Sequence, residues 1–172
     1  NKSSPIQIGT SSWTAIAGGG RYHMAAIRSG GALFAWGFNA YGRLGDGTTV
    51  DKSSPIQIGT SSWTTVAAGF SHTTAVRSDG GLFAWGKNSD GQLGDGTVVS
   101  KSSPIQIGTS SWTTVSAGIF HTTAVRLGGS LFTWGKDNYG QLGDGTTIRK
   151  SSPVQLGTSS WVAVTAGYHH IT

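Results

Sequence analysis

The chain of 172 residues contains no cysteine, no glutamate and only seven aspartates. Without thiols it has neither a disulfide framework nor a cysteine-based metal centre, and its compartment stays open between the cytoplasm and a virion or extracellular surface. No apolar run approaches the roughly 20 residues that a bilayer-spanning helix needs, so membrane insertion is not expected. Asn1 does not open a signal peptide, and the missing initiator methionine points to numbering that starts inside a longer or processed chain. Twelve Lys and Arg against seven Asp leave a formal charge of +5. That balance draws nucleic acid, another anionic polymer or an acidic protein surface alike, and binding to any of them weakens with salt.

Glycine and tryptophan are abundant instead, at 28 and seven residues. There is no Gly-X-Y period, and Trp, Ile, Val and Leu recur at fixed offsets from the glycines, which describes an ordered chain of strands and tight turns. Pro5, Pro55, Pro104 and Pro153 are spaced by 50, 49 and 49 residues, and each is followed eight residues later by Trp13, Trp63, Trp112 or Trp161. Trp36, Trp85 and Trp134 keep the same 49-residue spacing. The chain therefore reads as a single repeat domain, 1–172, with units at about 3–52, 53–101 and 102–150 and a partial one at 151–172.

Each unit predicts four short strands. In the second, "WTTVAAG" (Trp63 to Gly69) ends in small residues that suit a crowded place, and "HTTAVR" (His72 to Arg77) is rich in β-branched residues. The "SDGG" turn leads into "LFAW" (Leu82 to Trp85), and a long connection leads to "SPIQI" (Ser103 to Ile107). Pro104 places that last strand at a sheet edge, since an interior strand needs its missing N–H. Neither alternating face of "LFAW" is polar, so both lie against protein. Gly, Pro and β-branched residues interrupt every helical window. Four-stranded units covered on both faces suit a β-propeller; a β-sandwich leaves the near-identical units unexplained.

The stretches "LFAWGFNAYGRLGDGT" (Leu33 to Thr48), "LFAWGKNSDGQLGDGT" (Leu82 to Thr97) and "LFTWGKDNYGQLGDGT" (Leu131 to Thr146), with the "AAG..HT.AV" phrase at Ala67 to Val76, resemble the RCC1-repeat family of β-propellers. The departures are few: Arg43 stands for the usual Gln, Asp137 for the usual Asn, and "AGGGRYH" has one extra residue. The resemblance implies an all-β propeller arc of three complete four-stranded blades with partial blades at both ends, where the family usually closes seven. The arc leaves open edges. Self-association or a missing remainder of the propeller is therefore expected, and a stable, well-folded monomer in light scattering would count against it. Strand phases oppose a seamless two-chain ring, because a third strand is lacking at each seam.

The repeated polar residues read as architecture. His23, His72, His121 and His170 recur at one place per unit, too far apart for metal ligation, and are assigned a structural role with ring nitrogens satisfied by backbone groups. Asp46, Asp95 and Asp144 in "LGDG" form turns; three equivalent carboxylates make no catalytic pair, and "DGT" offers too few oxygens for the recognised calcium loop. Trp36, Trp85 and Trp134 fill seams between blades. No Ser, His and Asp set stands outside the period, no phosphate loop is formed, and no catalytic residue, metal or cofactor is expected.

Positions that break the repeat carry the functional expectation. Arg21 and Tyr22, Phe70 and Ser71, Ile119 and Phe120, and Tyr168 and His169 fall at one loop position and form the candidate binding face, against the plainer reading of edge packing. Tyr41, Asp90 and Tyr139 form a second variable set. Lys2, Lys52, Lys101 and Lys150 make one basic column, and Arg28, Arg77 and Arg126 another. Such columns could follow a phosphate backbone, although edge lysines that prevent aggregation explain them as well. The expected function is a non-enzymatic scaffold that presents loops to a protein partner. Low divergence between units and the Glu-free composition resemble bacterial or phage-associated members, with a structural or adhesive role on a virion or cell surface. The alternatives are polyanion binding through the columns, and an enzyme-inhibitor or GTPase-regulator type of propeller.

Overall fold

A computed structural model describes residues 4, 7–20, 22–167 and 170. Three antiparallel four-stranded sheets follow one another as the blades of an arc. The first contains β1 (Trp13–Gly19), β2 (His23–Arg28), β3 (Leu33–Gly37) and β4 (Lys52–Gln57). The second contains β5 (Trp63–Ala68), β6 (His72–Arg77), β7 (Leu82–Gly86) and β8 (Lys101–Gln106). The third contains β9 (Trp112–Ala117), β10 (His121–Arg126), β11 (Leu131–Gly135) and β12 (Lys150–Leu156). No α-helix occurs among the described residues.

Strand order within each sheet equals chain order, so every connection is local. The hairpin after β6 turns at Gly80, whose φ of +84° suits a residue without a Cβ, and Arg77 N–H donates to the Gly81 carbonyl at 2.8 Å. Each first strand carries a bulge beside its tryptophan, where Thr14, Thr64 or Thr113 donates its hydroxyl to a carbonyl of the second strand. Bulges of this kind raise the strand twist that a blade needs. The proline strands are outermost, as their missing N–H requires, but they begin earlier than the sequence indicated, because Gly86 also pairs with Lys101.

The core lies in the seams between sheets. Trp85, Leu44 and Ile58 meet between the first and second, and Trp134, Leu93 and Ile107 repeat that cluster between the second and third. In the fourth unit, residues 161–167 form no strand, only an isolated bridge at Ala166. The expected second strand of that unit and the first proline motif at Pro5 fall largely outside the described residues.

Candidate functional site

The repeated loops are closed polar structures. Asn39 accepts the Leu44 N–H at 2.9 Å through Oδ1, and its amide donates to Asp46 Oδ1 at 3.0 Å and to the Thr48 and Val50 carbonyls at 3.1 Å. Asn88 repeats the arrangement with Leu93, Asp95, Thr97 and Val99. Burial pushes the Asp46 carboxyl up, but bonds from the Thr48 hydroxyl and N–H, the Asn39 amide and Lys52 outweigh it, so its pKa is lowered overall. Lys52, Lys101 and Lys150 pair with Asp46, Asp95 and Asp144 at 3.3, 3.6 and 3.1 Å. The lysine column is thus engaged by the loop aspartates. Lys2 lies outside the described residues.

The arginine column is engaged as well. Arg28, Arg77 and Arg126 lie over Phe34, Phe83 and Phe132 at 5.0, 4.9 and 4.1 Å, and Arg77 also pairs with Asp79. Trp85 and Trp134 are fully buried in seams, and Trp36 only partly.

The histidines bond across seams to side chains, where backbone partners were expected. His23 Nε2 meets Thr73 Oγ1 of the next blade at 2.9 Å, and His72 Nε2 meets Thr122 Oγ1 at 2.8 Å. Each threonine donates its single hydroxyl proton to a carbonyl, Arg43 or Gln92, at 2.8 Å. It must therefore accept from the histidine, which places a proton on Nε2. Burial, helped by the charge of Arg43, lowers the His23 pKa to about 3. Burial, then His121, His23 and Arg43, does the same for His72. His121 is also buried, and His170 is exposed. The neutral, separated His23 and His72 rings offer neither a metal cluster nor an acid–base catalyst, and no group of three or more His or Asp residues converges for a metal among the described residues.

The variable positions do converge. Pairing of His23 with Gly37, His72 with Gly86 and His121 with Gly135 brings the loop before each second strand beside the residue after each third strand. Tyr22 thereby stands next to Phe38, Ser71 next to Lys87, and Phe120 next to Lys136, each pair tied by a backbone bond of 2.7–2.9 Å. The rings form an unbroken ridge over three blades: Phe38 to Tyr22 at 5.7 Å, Tyr22 to Phe70 at 5.6 Å, and Phe70 to Phe120 at 6.4 Å. Tyr22 is 46% exposed and Phe38 43%, a large uncovered aromatic surface. Ser71 and Ile119 point inward and are buried. Arg21, Tyr168 and His169 lie outside the described residues.

Cations flank the ridge. Lys87 and Lys136 each lie 5.1 Å from the Phe120 ring centroid, Lys87 also reaches Tyr41 at 5.6 Å, and Arg43 covers Phe38 at 5.0 Å. Sequence reasoning missed Phe38, Lys87 and Lys136, although all three follow the "WG" step, where the first unit carries Phe and the later two carry Lys.

Arg43 also reshapes its loop. In the later units Gln92 and Gln141 accept the backbone N–H of Asp90 and Tyr139 at 2.9 Å. A guanidinium cannot accept, so Arg43 instead donates to the Ala40 and Phe70 carbonyls at 3.0 Å. Its burial lowers its pKa. Tyr41, without the glutamine clamp, adopts a φ of +65°, alone among the described non-glycine residues, and is 51% exposed. A left-handed tyrosine costs about 1–2 kcal/mol. Asp90 is half-buried under the Ser89 hydroxyl, and Tyr139 is 73% exposed.

Comparison with known families agrees with this blade pattern. The model of the regulator of chromosome condensation (RCC1) repeat matches residues 30–76, 79–125 and 128–172, and a second model of that repeat matches 13–43, 63–92 and 112–141. The chain belongs to the RCC1-repeat family. A sequence search of curated proteins gave no match. Among solved structures, the RCC1 fold recurs in yeast RCC1 (Prp20) bound to Kap60, with 19% identity and a TM-score of 0.80 over 92% of this chain and 41% of that one. Prp20p from Saccharomyces cerevisiae, described with its binding properties to Gsp1p and histones, gives 22% identity and a TM-score of 0.78 over 91% and 42%. Human WBSCR16 gives 21% and 0.58 over 98% of this chain and 59% of that one. The chain thus spans about two-fifths of the yeast proteins, and at these identities the likeness is one of fold.

Proposed function

We propose that the chain is a non-enzymatic RCC1-repeat scaffold segment that engages a protein partner through the ridge of Tyr22, Phe70 and Phe120. The observation that carries this reading is the continuous aromatic line, exposed at Tyr22 and half-buried at Phe70 and Phe120, with Lys87 and Lys136 against it. Rigid rings offer contact area at little entropic cost, and the adjoining cations select a partner surface with acidic groups. The yeast relative is described bound to Kap60 and in relation to Gsp1p and histones, which favours the GTPase-regulator type of propeller over the virion or surface adhesin. The bacterial or phage affiliation read from composition has no counterpart among the yeast and human structures reported above. Polyanion binding through the basic columns is the weaker reading, since the loop aspartates and the rings engage those side chains.

The test measures binding to Gsp1p and to Kap60 for the chain and for the combined Tyr22→Ala, Phe70→Ala, Phe120→Ala variant. A loss of at least about tenfold, with an unchanged melting temperature, is expected from truncating aromatic anchors. Unchanged binding in a folded variant defeats the ridge. A steep salt dependence that responds only to Lys52, Lys101 and Arg77 substitutions supports the polyanion reading instead.

A further inference from the structure

The third unit carries a carboxylate where the other two carry an amide. Asp137 Oδ1 accepts the Leu142 N–H at 2.8 Å, just as Asn39 accepts Leu44 and Asn88 accepts Leu93 at 2.9 Å. The side chain therefore keeps its orientation, and Asp137 Oδ2 takes the place of the amide nitrogen. In the first unit that nitrogen donates to three oxygens at 3.0–3.1 Å, with the Thr48 hydroxyl oxygen at 3.4 Å. An oxygen in the same place has nothing to donate. Asp137 is fully buried, and its Oδ2 has no hydrogen-bond partner. The Thr146 hydroxyl beside it already donates to Asp144 Oδ1 at 2.7 Å.

Charge sharpens the contrast. Asp46 with Lys52, and Asp95 with Lys101, make neutral loops. Lys150 pairs with Asp144 at 3.1 Å and touches Thr146 Oγ1 at 3.2 Å, so in this loop one ammonium faces two carboxylates, Asp144 directly and Asp137 at longer range. By motif position, the oxygens equivalent to the set around the Asn39 amide are the Asp144 carboxylate, the Thr146 hydroxyl and carbonyl, and the Ile148 carbonyl, to which Asp137 Oδ2 adds one. Separations of 3.0–3.4 Å around that amide are near the edge length of an oxygen shell with metal–oxygen distances of about 2.3–2.6 Å. The short "DGT" motif supplied too few oxygens by itself; the main-chain carbonyls and Asp137 supply the rest.

We propose that this loop is a calcium site, with Asp137 and Asp144 as its charged ligands, and that the first and second units bind no calcium because an asparagine amide fills the same place. The test compares thermal unfolding of the chain and of Asp137→Asn in a chelator and in calcium at about 1 mM, a level that fills even weak oxygen sites, with magnesium and sodium as controls. Calcium raises the wild-type midpoint by about 3–8 °C, the shift expected for a ligand at ten- to hundredfold its Kd. Asp137→Asn, with the amide network restored, melts above the wild type in chelator and does not respond. Terbium luminescence excited through the protein's aromatic rings reports the ion separately from stability and disappears in Asp137→Asn. Equal calcium shifts in both proteins, no shift and no luminescence in the wild type, or stabilisation by acid alone with no response to cations each overturn the site.

Discussion

Trp36 and Trp134 occupy the same step of the same motif and live in different surroundings. Trp134 is completely buried, and Gly94 of the preceding loop lies so close that a Cβ there would come within 2.6 Å of its indole nitrogen. Gly45 covers Trp85 in the same way. Trp36 meets Trp13 of its own blade at 6.3 Å and with Ile16 lines an apolar hollow of about 430 Å³. A local sequence can specify the blade, but burial of its largest side chain comes from the loop of the preceding blade. Stability in such an array is a sum of blade and seam terms.

The largest expected effect breaks a seam directly. Trp134→Ala removes a fully enclosed ring and costs about 3–5 kcal/mol. Trp36→Ala removes a ring already half-solvated and costs about 1–2 kcal/mol. Denaturant midpoints at unchanged m measure both; equal losses would show that the seam adds nothing to the tryptophan's contribution.

The next effect follows the seam histidines. His23 and His72 are neutral in the fold, with pKa values lowered to about 3, whereas an unfolded histidine titrates near 6.5. Between those values the unfolded chain binds the proton and the folded chain does not. Stability is therefore complete above about pH 6.5 and falls as the pH drops towards 3, by at most about 1.4 kcal/mol per pH unit for each ring. Melting between pH 7 and 5 checks this. His72→Gln, whose amide can still donate to Thr122, is expected to remove about half of the slope. A flat profile in the wild type would mean that the rings are protonated in the fold.

The blades were legible in the sequence because their period is written in residues with one structural use. Pro104 must sit at an edge, Gly80 must turn, and Trp85 must be covered, so spacing placed the strands of the three complete blades to within a few residues. The binding face was half legible. Tyr22, Phe70 and Phe120 break the repeat and do meet, but their line is completed by Phe38, Lys87 and Lys136, which sit 16 or 17 residues further along. Only the pairing of His23 with Gly37 and its copies brings these groups together, and register is a property of the sheet. The lysine column misled for a related reason. Each lysine follows its aspartate by six residues across a loop whose fold decides that they touch. The histidine partners were hidden because Thr73 and Thr122 belong to the next blade.

The smallest effect isolates the seam from the backbone. Gly94 and Gly143 are the same motif residue, with φ of +82° and +71°, so alanine at either pays the left-handed strain of about 1–2 kcal/mol. At Gly94 the new methyl also runs into the Trp134 indole, and at Gly143 it meets only Leu156 at 3.6 Å, an ordinary contact. Overpacking of a rigid ring adds about 1–3 kcal/mol. The difference between Gly94→Ala and Gly143→Ala in urea midpoints therefore measures how firmly one blade's loop presses on the next blade's tryptophan, with backbone strain cancelled. If the difference vanishes, the seams yield to a methyl group, and the rigid platform on which the aromatic ridge depends is softer than its packing indicates.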